Sequence, residues 1–247
     1  LTYGPHPDQV VDLYSGGSAG RVTLIHGGFW KPAYDRAHLA PMAIALADNG
    51  FEVALVEYRR PETGRWPVIS ADVRAALSVL GDEPSVVVGH SAGGHLAVWA
   101  LHQPEGRALT GAVSLAGCLD LQQADADNLG GGAVRILLGG PAHDHPDADP
   151  ARLAPAPKPV VLIHGDRDVD VPIEISRGYR DRVAALDASR TPELIELPGA
   201  DLSDLELDVV VLPPQEDEFT CIECFLVKHR TQIDHDTAAG AVCVECA

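Results

Sequence analysis

Short runs of β-branched and aliphatic residues alternate with longer segments that carry an apolar stripe along most of this chain. The short runs are 22–26, 53–58, 86–89, 112–115, 160–164 and 194–197. Their length and apolar character predict buried strands of a mostly parallel sheet. Helices are predicted between them, at 35–49, 68–80, 92–103 and 173–188. This βαβ order predicts a doubly wound α/β fold, whose ligand site lies at the carboxyl ends of the strands.

Composition supports a globular protein and excludes several classes of partner. Of 247 residues, 46% are hydrophobic and 22% charged, and no apolar run reaches the roughly 18 residues of a membrane span. The net charge of −18 repels nucleic acid and anionic lipid, so neither is an expected partner. The chain starts at Leu1 without a basic and apolar leader, from which we expect a cytoplasmic protein.

Charge and cysteines change together near residue 200. Residues 198–247 hold 11 acidic and 2 basic side chains, which is half of the net charge in one fifth of the chain. Four of the five cysteines lie in the last 27 residues. We therefore predict two domains, an α/β domain at 1–197 and an acidic linker with a cysteine module at 198–247.

A G-x-S-x-G motif follows the predicted strand at 86–89 and opens the next helix. In Gly89-His90-Ser91-Ala92-Gly93 the glycines permit a sharp strand-to-helix turn that exposes Ser91 as a nucleophile. The helix N-terminus offers the Ala92 N–H to an oxyanion. A glycine turn that merely contains serine is the alternative.

Two further motifs follow strands of the same predicted sheet. His26-Gly27-Gly28 is typical of a loop that supplies oxyanion-hole amides, and we assign this role to Gly28 and Phe29. After the strand at 160–164, Asp168 is the candidate triad acid, because the acid follows the nucleophile in this plan. Asp166 and Asp170 are alternatives that could instead be solvated or capping carboxylates.

These motifs together resemble an α/β-hydrolase with an HGGFW oxyanion loop, close to the kynurenine formamidase-like and small carboxylesterase families, over residues 20–197. The matching pieces are HGGFW at 26–30, VEYRR at 56–60, Trp66-Pro67, GHSAGGHLA at 89–97, SLAGCLDL at 114–121 and HGDRDVDVP at 164–172. The resemblance implies a serine hydrolase that cleaves small esters or N-formyl amides through an acyl-enzyme, without a catalytic cofactor. It also implies that a small acyl compound is the substrate.

The chain departs from this family after the last predicted strand. Relatives carry a histidine, the general base, at the end of a Leu-Pro-Gly-Ala-Asp-His loop, whereas this chain has Leu202 at that place. Leucine cannot accept a proton, so we expect a severely reduced rate. His229 and His235 follow the strand in chain order and are alternative bases.

From about residue 195 the sequence resembles small uncharacterised acidic bacterial proteins that end in two CxxC pairs. The pairs are Cys221–Cys224 and Cys243–Cys246, separated by 18 residues. This spacing predicts a closed four-cysteine zinc site in a zinc-ribbon-like module, with disulfide or redox roles as alternatives. The partner of such a module is not specified. A second functional hypothesis is therefore a non-catalytic hydrolase scaffold whose zinc knuckle mediates binding.

Overall fold

The computed structural model describes residues 1–62, 65–200, 218–220, 227–237 and 240–244. Contacts divide the chain into two compact units, Leu1–Leu205 and Glu206–Ala247. The first unit contains an α/β sheet, and the second contains two small antiparallel strand pairs. Within the described ranges, no helix combines the length and the apolar composition needed to cross a membrane.

Seven strands form the sheet of the first unit: β1 Val11–Tyr14, β2 Arg21–Ile25, β3 Glu52–Val56, β4 Ser85–His90, β5 Leu109–Leu115, β6 Val160–Gly165 and β7 Glu193–Leu197. In space they follow the order β1-β3-β2-β4-β5-β6-β7. β1 pairs with β3 in antiparallel register, and the other neighbours are parallel. The sheet is therefore mostly parallel, as the sequence predicts.

Helices cover both faces of the sheet. They are α1 Ala40–Asp48, α2 Arg65–Leu80, α3 Ala92–Ala100, α4 Leu121–Ala126, α5 Leu129–Leu138, α6 Pro150–Leu153 and α7 Glu174–Leu186. Leu24 and Ile25 are consecutive in β2 and so point to opposite faces. Leu24 belongs to the apolar cluster that contains Ala43 of α1, and Ile25 to the cluster that contains Ile69 of α2 and Leu96 of α3. Burial on both faces explains why the strands are almost continuously apolar.

All six strands predicted from the sequence are present. The helix predicted at 35–49 divides into a 3-10 helix, Arg36–Leu39, and α1. Pro41 lies in the first turn of α1, a position that suits proline because its missing N–H has no acceptor there. The edge strand β1 and the helices α4 to α6 are not predicted from the sequence, because α4 and α6 have only six and four residues and α5 contains three consecutive glycines, Gly130 to Gly132, that disfavour a helix.

The second unit contains β8 Glu218–Thr220, β9 Val227–His229, β10 Ile233–Thr237 and β11 Gly240–Cys243. β8 pairs with β9 and β10 with β11, both antiparallel. Cys221, Cys224 and Cys246 lie outside the described residues, as does the side chain of Cys243. The zinc site therefore stays a prediction from the sequence.

Gly93 at the start of α3 sets how closely this helix approaches β2. A Cβ atom there would stand 2.0 Å from the carbonyl oxygen of Ile25 and 2.6 Å from that of His26. Backbone atoms cannot rotate away, so Gly93→Ala must push the helix off the sheet. We expect this substitution to lower the free energy of unfolding by about 3 kcal/mol.

A matched helical control is Gly178→Ala in α7. A Cβ atom on Gly178 meets nothing within 4 Å, so alanine should instead stabilise by about 0.5–1 kcal/mol. Urea unfolding monitored by tryptophan fluorescence reports on the first unit, since the three tryptophans of the chain are Trp30, Trp66 and Trp99. Equal stability of Gly93→Ala and the unaltered protein would contradict the close approach of α3.

Candidate active site

Ser91 stands between β4 and α3 in a backbone conformation that side chains rarely adopt, with φ 51° and ψ −117°. Its N–H donates to the Leu115 carbonyl over 2.8 Å, and its carbonyl accepts from the His95 N–H over 3.1 Å. A Cβ on Gly89 would lie 2.0 Å from the Gly93 carbonyl oxygen, so the turn requires glycine. The G-x-S-x-G motif thus forms a strained elbow, and such strain is concentrated at functional sites.

The HGG loop lies directly against this elbow. A Cβ on Gly27 would stand 3.1 Å from Ser91 Cβ and 2.7 Å from the His90 carbonyl oxygen. Only glycine allows this approach, and the structure thereby brings together two motifs about 65 residues apart in the sequence. Ala92 is the first residue of α3, so its N–H belongs to the first turn, where helical amides have no intrahelical acceptor.

The loop after Gly27 has an unusual backbone. Gly28, Phe29 and Trp30 all have positive φ, at 98°, 50° and 55°, which is unfavourable for the two aromatic residues. The Lys31 N–H donates to the Gly28 carbonyl over 2.9 Å, and Trp30 is buried. Tertiary packing therefore holds Gly28 and Phe29, the predicted oxyanion donors, in a conformation that the isolated chain would avoid.

A buried ionic cluster around Glu57 packs against the start of this loop. Glu57 Oε1 lies 2.9 Å from His26 Nε2, and Glu57 Oε2 accepts from the Arg36 N–H over 2.9 Å. Burial by itself raises the pKa of this carboxyl, but His26, the Arg36 N–H and the Arg60 guanidinium outweigh burial and lower the pKa to about 2. No role is predicted for Glu57 from the sequence, although the VEYRR motif at 56–60 is the signal that could have identified it.

Asp168 follows β6 and is the buried carboxylate of its loop. Its Oδ1 accepts from the backbone N–H of Val171 over 2.8 Å and of Asp170 over 3.0 Å. Asp170 and Asp166 are exposed, and Asp166 Oδ1 instead accepts from the Gly199 N–H over 2.7 Å. Burial and loop geometry therefore favour Asp168 over its two neighbours as the triad acid.

His164 fixes the loop that carries this acid. It is fully buried, and its Nε2 lies 2.7 Å from the Val171 carbonyl oxygen while its Nδ1 lies 2.8 Å from Ser176 Oγ. Burial lowers the pKa of His164, so the neutral ring donates to the carbonyl and accepts from the hydroxyl. The same Nε2 is 3.8 Å from Asp168 Oδ2, so His164 contacts the acid as well as the loop that carries it.

The segment that would present the general base begins beside the acid loop. Gly199 has φ 75°, and the Arg167 N–H donates to the Ala200 carbonyl over 3.0 Å. Leu202 and the side chain of His229 lie outside the described residues. His235 is exposed, and its Nδ1 is 2.8 Å from Asp234 Oδ2. The assignment of the base therefore stays a prediction.

Other candidate groups near the elbow have structural surroundings. His95 is fully buried, donates from Nε2 to the Ala148 carbonyl over 2.8 Å, and has its pKa lowered to about 4 by burial. Burial also raises the pKa of the Cys118 thiol, so Cys118 is a small core residue and not a second nucleophile. Gly130 packs against the oxyanion loop, since a Cβ there would lie 2.4 Å from the Phe29 ring.

The sheet order, the elbow and the glycine loop beside it define an α/β-hydrolase. The BD-FAE family model matches residues 12–183, and the chain belongs to this family of esterase domains. A second model, described as a domain of unknown function, DUF4193, matches residues 174–247. The two matches share residues 174–183, within which α7 begins.

Two curated relatives are named as ester hydrolases. Esterase LipC of Mycobacterium tuberculosis is 27% identical, with 81% of this chain and 58% of that protein covered. Probable carboxylic ester hydrolase LipM of the same organism is 28% identical, with 70% of this chain and 46% of that protein covered. The chain thus spans about half the length of these relatives.

The solved structures support the fold. A truncated carbohydrate esterase from gut microbiota superimposes with a TM-score of 0.71 at 20% identity, over 83% of this chain and 89% of that one. The native esterase Est2 of Thermogutta terrifontis gives a TM-score of 0.66 at 20% identity, over 85% of each chain.

Proposed function

We propose that the first unit is a serine hydrolase of carboxylic esters that works through an acyl-enzyme. Ser91 Oγ attacks the carbonyl carbon, and its proton passes to solvent water, because Leu202 stands where relatives carry the histidine base. The carbonyl oxygen becomes an oxyanion that accepts from the Gly28, Phe29 and Ala92 N–H groups. Collapse of this intermediate breaks the bond to the alkoxide, which takes a proton from water and leaves as the alcohol, and a second water then hydrolyses the acyl-serine. Asp168 would orient and stabilise a histidine base when one is supplied, as in Leu202→His.

One observation carries this proposal: the strained Ser91 elbow and the glycine loop touch each other. Each feature carries backbone strain that packing must offset, and such strain is concentrated at functional sites. A serine near backbone amides is the arrangement that acyl transfer requires. No catalytic cofactor enters this scheme.

Small esters are the first choice of substrate, and N-formyl amides are the second. The relatives' printed names describe carboxylic ester hydrolases and, in Arabidopsis thaliana, an isoprenylcysteine alpha-carbonyl methylesterase, which favours esters. N-formyl amides remain the second choice because the HGGFW motif resembles that of kynurenine formamidase-like proteins. The unaltered chain should be slow on both, because Leu202 stands where the base is expected and a serine hydroxyl without a base is a weak nucleophile.

The test compares the full-length chain with Ser91→Ala on p-nitrophenyl acetate and on an aryl formamide. We expect a small but measurable ester hydrolysis that Ser91→Ala abolishes, with a slower reaction on the formamide. The matched control is Ser114→Ala, which removes a buried hydroxyl outside the proposed machinery. Equal rates for the unaltered protein and Ser91→Ala would instead favour a non-catalytic scaffold.

For the second unit we propose a structural zinc ion bound by Cys221, Cys224, Cys243 and Cys246. Four thiolates form a complete tetrahedral set that leaves no position for substrate. A short acidic segment buries little apolar surface, so the metal would supply much of its folding free energy. We further propose that the protein is cytoplasmic, where reducing conditions keep such thiols available.

A further inference from the structure

We propose that His26 is an imidazolium, held by Glu57, that strengthens the Gly28 N–H as an oxyanion donor by polarising the Gly27–Gly28 peptide. This inference rests on the proposed hydrolase function. It assigns positioning roles to His26 and Glu57, which act on the site through the backbone and do not touch the substrate.

The first step is the protonation of the ring, which follows from its two partners. Nδ1 lies 2.9 Å from the Gly27 carbonyl oxygen, and Nε2 lies 2.9 Å from Glu57 Oε1. A carbonyl oxygen and a carboxylate can only accept, so the ring must donate from both nitrogens, which only the imidazolium can do. Arg60 Nη1 is 3.3 Å from Nε2, but it has the Glu57 carboxylate and the Tyr58 carbonyl as acceptors.

The second step is that the surroundings favour this charge despite complete burial. Glu57 is itself buried and is held ionised by the Arg36 and Tyr58 N–H groups, over 2.9 and 3.0 Å. The Tyr58 ring stacks on His26 with centroids 4.3 Å apart, an arrangement that attracts a cation. His38, edge-on at 5.7 Å, has its pKa lowered by burial and adds no charge. The Arg60 guanidinium, 3.3 Å from Nε2, opposes the imidazolium, so the charge depends on the Glu57 carboxylate that both groups contact.

The third step joins the ring to the site through one peptide group. The Gly27 carbonyl and the Gly28 N–H belong to the same peptide unit, and hydrogen bonds at its two ends strengthen each other. A charged donor on the carbonyl therefore makes the N–H a better donor to an oxyanion. Because Gly27 packs against Ser91, this N–H lies in the loop that faces the nucleophile.

The charge is tested on the unaltered full-length protein labelled with ¹⁵N-histidine. At pH 7 we expect two ring N–H signals for His26, identified by nuclear Overhauser contacts to the Tyr58 ring. His95 and His164, which are equally buried, should each show a single ring N–H and serve as internal references. A single N–H signal on His26 would overturn the proposal without any substitution or activity measurement.

The effect on catalysis is tested with Glu57→Gln, which keeps an oxygen acceptor but removes the charge that holds the imidazolium. Since removal of a whole oxyanion donor costs about 10²–10³ in kcat, weakening one should lower kcat for p-nitrophenyl acetate about tenfold while KM stays within about twofold. The matched control is Asp72→Asn, a carboxylate buried to the same extent and paired with Arg59 but without contact to His26. It should leave kcat and KM unchanged.

The outcomes separate this proposal from the hydrolase proposal. An equal kcat for folded Glu57→Gln and Asp72→Asn overturns the coupling, even if Ser91→Ala abolishes hydrolysis. If the unaltered protein and Ser91→Ala hydrolyse the ester equally, the proposed function fails and the catalytic role of His26 fails with it. In that case the ¹⁵N experiment still decides whether the ring is charged.

Discussion

Replacement of Leu202 by histidine is expected to raise the ester hydrolysis rate at least about a hundredfold. The proposed site retains a nucleophile, an acid and an oxyanion loop but lacks the base. Loss of one triad member lowers kcat by a factor of about 10⁴–10⁶. The loop before this position is already tied to the acid loop, because Asp166 accepts from the Gly199 N–H. A histidine two to three residues further along is therefore expected to reach the site.

Two control variants test whether the gain comes from a histidine base acting on Ser91. Leu202→Asn adds polarity without a proton acceptor of suitable basicity and should stay at the unaltered rate, and the double variant with Ser91→Ala should lose the gain. The measured quantity is kcat/KM for p-nitrophenyl acetate. High activity in the unaltered chain that disappears on His229→Ala or His235→Ala would show that the second unit supplies the base, which would contradict the role given to Leu202.

Removal of zinc is expected to unfold the second unit while the first stays folded. The protein purified from the cytoplasm should contain one zinc ion per chain, and a strong chelator should remove it. Loss of the metal should abolish the protection of backbone amides in β10 and β11, since metal binding and folding are coupled in such modules. The fluorescence of the three tryptophans, all in the first unit, should change little.

Cysteine variants provide the matched comparison. Cys224→Ser should lower the zinc content to near zero, whereas Cys118→Ala should leave it unchanged, because Cys118 is buried in the core of the α/β unit. Absence of zinc from the unaltered protein, or equal zinc content in both variants, would contradict the metal site. Four oxidised cysteines in that protein would support the disulfide alternative.

The sequence predicted the parts of the site that depend on short motifs. The six predicted strands have a local apolar pattern, and the glycines of the G-x-S-x-G and HGG motifs are recognisable in the sequence, although Gly27 and Gly93 meet residues that are distant in the chain. A Cβ on Gly27, Gly89 or Gly93 would collide with neighbouring backbone, so the fold requires glycine at these three positions. Asp168 is predicted as the candidate acid from its place after a strand end, whereas its burial, which distinguishes it from Asp166 and Asp170, is seen only in the structure.

The remaining features depend on contacts between residues that are far apart in the chain. Glu57 and His26 are 31 residues apart, and Gly130 meets the Phe29 ring from 101 positions away. The periodicity of apolar residues does not reveal such pairs, and none of these residues stands out in the sequence by its type. The left-handed φ of Phe29 and Trp30 is equally hidden, because it is imposed by tertiary packing against the residues' own preference.

The hydrolase proposal places a nucleophile, Ser91, in an oxyanion site that lacks the histidine base. Its most direct measurement is intact-protein and peptide mass spectrometry of the full-length chain after incubation with a fluorophosphonate, which reacts with nucleophilic active-site serines and does not depend on substrate identity. The account predicts one phosphonyl group per chain, located on Ser91 and faster to form in Leu202→His. An unlabelled Ser91 in both proteins, or labelling at other serines to the same extent, would contradict it.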